Sequence, residues 1–156
     1  MRIFLLRHGE AGYNAVSDRL RPLTEKGKRE LDEMLLAFTH AQQVSQVYHS
    51  PYLRTCQTAE RLNAVQPDLN FTASDLLVPE SSPQSVVDWL AKLSVESDID
   101  RIMLVTHQPL IGYLSCLLTE GNVKSPEPLL PGYLAELEMD VPAAGLARLI
   151  KVWHAN

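Results

Sequence analysis

The chain has 156 residues, of which 46% are hydrophobic and 21% charged, and its net charge is −5 at pH 7. Those numbers fit one compact domain over residues 1–156 with a full core, exclude a disordered chain, and argue against nucleic acid as a partner. The first apolar run meets Arg7 too early for a signal peptide, and no run approaches the ~18 residues that span a membrane, so the cytoplasm is the expected compartment.

The elements alternate along the chain. Ile3-Phe4-Leu5-Leu6 reads as a buried strand that delivers Arg7, His8 and Gly9 to its C-terminal end. Thr24 is placed to cap a helix whose apolar face is Leu31, Met34, Leu35 and Phe38. Gln46 to His49 is a short strand. Ser50-Pro51 then predicts a helix start, serine as cap and proline at the first helical position, with Leu53, Cys56, Ala59 and Leu62 as the apolar side. A short strand is expected at Phe71-Thr72-Ala73. Ser82-Pro83 repeats the helix-start signal before Val86, Val87, Leu90 and Leu93. Arg101 to Thr106 is a second buried strand, and Pro109 opens a helix with Leu110, Ile111, Leu114 and Leu118. Two more strands are expected near Leu134–Met139 and Leu146–Trp153. This alternation predicts a three-layer α/β/α sandwich around a mostly parallel sheet.

Three segments carry chemistry. Ligands of open α/β sheets bind at the C-terminal ends of the strands, where Arg7 and His8 are expected. The guanidinium of Arg7 suits a phosphate oxygen, and a neutral imidazole such as His8 can act as a nucleophile. Arg54 falls in the first turn of its helix, where a cation opposes the helix dipole by ~0.3–1 kcal/mol; a bound anion relieves both. The bland alternative is a solvated Arg54 paired with Glu60. His107, after the second buried strand, repeats the placement of His8. A metal site is disfavoured, because Arg7 beside His8 keeps its charge at any relevant pH and no histidine pair shows ligand spacing. His40 and His154 read as surface residues, and His49 as a strand-end residue near the cleft.

Arg7-His8-Gly9-Glu10, Leu23-Thr24-x-x-Gly27, Ser50-Pro51-x-x-Arg54-x-x-Gln57-Thr58-Ala59 and Val105-Thr106-His107 occur in the order seen in the histidine phosphatase (phosphoglycerate-mutase-like) superfamily, which the chain resembles. Its length, Ser17-Asp18-x-x-Arg21-Pro22-Leu23-Thr24 and His107-x-Pro109-Leu110-x-Gly112-Tyr113-Leu114 resemble the short SixA-type phosphohistidine phosphatases within it.

The resemblance implies a metal-independent phosphatase without a dissociable cofactor. His8 is the implied nucleophile. Arg7, Arg54 and His107 are the implied clamp on the phosphoryl oxygens, and the two arginines are expected to depress the pKa of His8. Arg21 is expected to join the clamp, and Asp18 to orient Arg21 or His8. Glu80 matches the place where larger relatives carry a general acid; its alternative is an exposed glutamate ahead of a helix. The 52 residues from 55 to 106 are already used by predicted elements, so no large lid subdomain is expected and the site should be open. An open site suits phosphohistidine on another protein, and imidazole leaves with little acid help. A small-molecule phosphomonoesterase and a non-catalytic phosphohistidine-binding module are the competing readings. Phosphate or sulfate should bind in the site.

Overall fold

In the computed structural model, which describes residues 1–156, alternate side chains of the central strands feed two cores. Strands β1 (Arg2–Arg7) and β4 (Arg101–Thr106) lie side by side and parallel. Phe4, Leu6, Met103 and Val105 point to one face of the sheet; Ile3, Leu5, Ile102 and Leu104 point to the other. This is the period-two alternation of a sheet covered on both sides. All eight side chains are fully buried.

The first face is covered by α1 (Glu25–Ala41) and α2 (Leu53–Val65), which contribute Leu31, Met34, Leu35, Phe38 and Leu62. The second is covered by α3 (Pro83–Glu96) and α4 (Leu110–Glu120), through Val86, Val87, Leu90, Leu114 and Leu118. With β2 (Gln46–His49), β3 (Asn70–Ala73), β5 (Leu134–Glu138) and β6 (Arg148–Trp153), the sheet order is β3-β2-β4-β1-β5-β6. β5 runs antiparallel to both neighbours, and the other five strands share one direction. The expected three-layer α/β/α architecture is therefore present. No lid interrupts residues 55–106, which form the rest of α2, then β3, a 3-10 turn at Asp75–Leu77, α3 and β4.

Local signals explain the seating of α1. The Thr24 hydroxyl accepts the Gly27 N–H at 3.0 Å, a cap contributing about 1 kcal/mol. The Thr24 N–H donates to the Glu10 carbonyl at 2.9 Å. A Cβ on Gly27 would overlap that same carbonyl oxygen, so glycine lets the first turn of α1 rest against the segment that carries His8. The Ser82 cap and Pro83 open α3 as predicted.

One expected helix start is wrong. α2 begins at Leu53, with Tyr52 as its capping position, and neither Ser50 nor Pro51 is helical. The buried face also differs: it comprises Arg54, Thr55, Thr58, Ala59 and Leu62, while Leu53 and Cys56 are only half-buried. The physical reason lies in the site, where the polar residues of this segment find their partners.

Candidate active site

β4 is the central strand of the site, flanked by β1 and β2. The ladder continues one residue past each strand end: His8 N–H donates to the Thr106 carbonyl at 3.1 Å, and Ser50 N–H to the Val105 carbonyl at 3.0 Å. His8, His107 and Ser50 therefore sit together on one edge. The imidazoles of His8 and His107 have centroids 5.2 Å apart. Arg54 reaches the same point from the first turn of α2 and is 4% exposed.

The tautomer of His8 follows from its partners. Nδ1 lies 2.7 Å from the Gly9 carbonyl, which can only accept, so Nδ1 carries the proton. Nε2 then holds a lone pair, and it accepts the Arg54 Nε–H at 3.3 Å. Burial, above all, holds the pKa of His8 down to about 3; the Gly9 bond opposes this, and Arg54, Arg7 and Arg21 add to it. The two arginines depress the pKa as expected, and desolvation is the larger cause. His107 is lowered to about 2, by burial first and then by His8 and Arg54. Both rings are neutral across the physiological range.

The cations are fixed from outside. Arg54 donates from Nη1 to the Asp18 backbone carbonyl at 2.6 Å and from Nη2 to the Asp18 carboxylate at 3.2 Å. It is thus paired with Asp18, not with Glu60. Arg21 donates from Nη1 to the other Asp18 oxygen at 3.1 Å and from Nε to the Gly12 carbonyl at 2.9 Å. Asp18 joins the two arginines and touches His8 only through Arg54. Partial burial pushes the Asp18 carboxyl up, but its bonds to Arg21 and Arg54 outweigh this and lower its pKa. Arg7 donates from Nη1 to the Leu129 carbonyl at 2.8 Å, and its own pKa is lowered by burial and then by Arg54.

Two polar atoms at this edge are buried without any partner: Arg7 Nε and His107 Nδ1. A buried N–H without an acceptor costs about 1–3 kcal/mol. The Arg7 N–H and the open His107 nitrogen, among three guanidiniums, define a site that suits an anion. Glu80 is not part of this network. It is exposed in the turn before α3 and makes no hydrogen bond or ion pair. His49 is half-buried and donates from Nδ1 to the Ser50 carbonyl at 2.9 Å, beside Cys56; His40 and His154 are exposed.

Several supporting residues had been visible only as motif letters. The Thr58 hydroxyl accepts the Gly9 N–H at 3.2 Å and donates to the Arg54 carbonyl at 2.7 Å, tying α2 to the His8 segment. Gln57 Oε1 accepts the Leu23 N–H at 2.8 Å. Tyr52 went unnoticed: its ring packs edge-on against His107 at 4.9 Å and lies under the guanidiniums of Arg54 and Arg19, each at 5.1 Å. No sequence spacing marks that role. The Leu129 carbonyl, a backbone group, leaves no sequence signal at all.

An anion site centred on a neutral imidazole, at the C-terminal edge of a mostly parallel α/β sheet, is the class that this architecture defines. The family model described as histidine phosphatase superfamily (branch 1) matches residues 3–77. Phosphohistidine phosphatase SixA of Escherichia coli K12 is 31% identical over 151 residues, covering 93% of this chain and 89% of that protein. A SixA homolog of Haemophilus influenzae is 28% identical over 155 residues, covering 90% and 89%. The solved structure of the protein histidine phosphatase SixA complexed with tungstate superposes with a TM-score of 0.87 at 28% identity, covering 99% of this chain and 97% of that one. The chain belongs to the histidine phosphatase superfamily.

Proposed function

We propose that this protein hydrolyses phosphohistidine on a protein substrate, with His8 as nucleophile and a phosphohistidine on the enzyme as intermediate. The observation that carries the reading is His8 itself: a neutral ring, its proton tied to the Gly9 carbonyl, its Nε2 lone pair beside Arg54. Nε2 attacks phosphorus, and the bond from phosphorus to the substrate nitrogen breaks as that nitrogen takes up a proton. Water then attacks phosphorus, the Nε2–phosphorus bond breaks, and inorganic phosphate leaves. No oxidant, metal or cofactor enters the balance.

Arg7, Arg54 and His107 are the groups we assign to the phosphoryl oxygens, where donors stabilise charge that grows in the transition state. Arg21 contributes its charge, and Asp18 holds both Arg21 and Arg54 in place. The tungstate bound to SixA is an oxyanion of the same kind.

Three observations support a protein as the carrier of the phosphoryl group. The main surface cavities, of about 270, 280 and 900 Å³, are lined by residues other than His8, Arg7, Arg54 and His107. None of these three cavities therefore encloses the remainder of a small substrate held by those residues. The segment that carries Asp18 presents Tyr13 and Val16 to solvent at 83% and 92% exposure, although Arg21 and Arg54 pin it to the site. The substrate named for the SixA relatives is phosphohistidine. We also take the protein to act in the cytoplasm, in signal transduction that moves phosphoryl groups between histidines. Its two cysteines are unpaired, in keeping with a reducing compartment.

The test is a hydrolysis panel: a protein phosphorylated on histidine by potassium phosphoramidate, an alkyl phosphate and an aryl phosphate. Efficient release from the phosphohistidine protein with poor alkyl-phosphate turnover supports the reading. The reverse order makes this a small-molecule phosphomonoesterase, and binding without turnover makes it a phosphohistidine-binding module.

A further inference from the structure

Ser50 is fully buried and His107 is 1% exposed, and Ser50 Oγ lies 2.7 Å from His107 Nε2. A serine hydroxyl has one proton and two lone pairs. Here Oγ accepts the Tyr52 N–H at 3.3 Å, and His107 Nε2 is the one acceptor within its reach. A buried hydroxyl with a single acceptor gives its proton to it, so Nε2 is unprotonated and the proton of the neutral ring sits on Nδ1. That is the atom left buried and without a partner.

We infer that Ser50 is a positioning residue that fixes His107 as its Nδ1–H tautomer, aiming a neutral N–H donor at the phosphoryl oxygens. The inference rests on the phosphoryl site proposed above. The reverse arrangement, with Nε2–H donating to Ser50, has two faults. It strands the serine proton without an acceptor, and it turns the Nδ1 lone pair toward an anion.

The two histidines thereby become complementary. Both carry their proton on Nδ1. A backbone acceptor sets this for His8, which offers the bare Nε2 to phosphorus. A hydroxyl donor sets it for His107, which offers the N–H.

The experiment is long-range ¹H–¹⁵N NMR of the imidazoles in wild type and Ser50→Ala, with and without tungstate, alongside phosphoramidate hydrolysis. The expected wild-type spectrum has His107 Nδ1 in the protonated range and Nε2 in the unprotonated range. In Ser50→Ala both nitrogens should move to averaged shifts, while the His8 tautomer stays fixed. The kcat of the variant should fall by about 10–100-fold, the scale for partners that orient an imidazole at metal sites, with KM little changed. A wild-type His107 protonated on Nε2 overturns the inference, and so does an unchanged tautomer in Ser50→Ala. The wild-type spectrum decides the matter even if the variant fails to fold. A wild type that hydrolyses neither phosphoramidate nor phosphohistidine protein defeats the functional reading instead, and leaves the tautomer to be judged from the spectrum.

Discussion

Arg54 Nε donates to His8 Nε2 across 3.3 Å, a bond that exists only while that nitrogen is unprotonated. With the pKa of His8 held to about 3, the free enzyme enters catalysis with its nucleophile already neutral. The acid limb of kcat/KM, which reports the free enzyme, should therefore show no step near 6.5 once substrate ionisation is accounted for. A pH–rate profile from pH 4 to 8 checks this, and an acid limb near 6.5 that persists in wild type after substrate ionisation is subtracted would count against it.

The same shift sets the sign for stability. Between about pH 6.5 and 3 the unfolded chain binds protons at His8 that the folded chain refuses. His107, lowered to about 2, acts in the same direction. Their contribution is complete above pH 6.5 and is lost as pH falls through that window, with a limiting slope of about 1.4 kcal/mol per pH unit for each histidine. Thermal melts should show Tm falling from pH 7 to 4. Tungstate should raise Tm at pH 7, by an amount corresponding to about 2.7 kcal/mol at a hundred times its dissociation constant.

Asp18 separates the arginine that binds from the residue that holds it. Arg54→Ala removes a buried cation and should lower kcat by ~10²–10³-fold, the range for losing one transition-state donor. Asp18→Asn keeps the backbone carbonyl that takes Arg54 Nη1 and loses only the carboxylate charge. Its effect should be about tenfold, at the low end for a partner that orients another group. Steady-state kinetics on the phosphohistidine protein check both; equal losses would mean that Asp18 does more than hold its neighbours.

Glu80 stands in solvent without a partner. Imidazole, with a pKa of ~6.5, departs with modest help, whereas an alkoxide needs an acid that contributes ~10²–10⁴-fold. Glu80→Gln should therefore change phosphohistidine hydrolysis by less than ~10-fold. Alkyl-phosphate turnover that is efficient in wild type and collapses in Glu80→Gln would make Glu80 the general acid of a monoesterase.

Much of this was legible in the sequence because it depends on local pattern. The buried runs Ile3–Leu6 and Ile102–Val105 became β1 and β4, and the residues that follow them, His8 and His107, met on one edge. Thr24 and Ser82 capped as their spacing required. What stayed hidden depends on long-range partners. Arg54 is buried because Asp18, 36 positions away, accepts two of its hydrogen bonds. Ser50 misled because its cap signal is local, while its strongest partner, His107, is 57 positions away. Desolvation of His8 outweighs the charges beside it, and burial depth is a property of the whole fold.

Covalent trapping tests the central claim most directly. Wild-type enzyme mixed with ³²P-labelled phosphohistidine protein, and quenched in alkali to preserve the acid-labile N–P bond, should carry label on His8 by peptide mapping. His8→Ala should carry none while keeping its fold. Label on Ser50, Cys56 or His107, or turnover retained in His8→Ala, would contradict the assignment of His8 as the nucleophile.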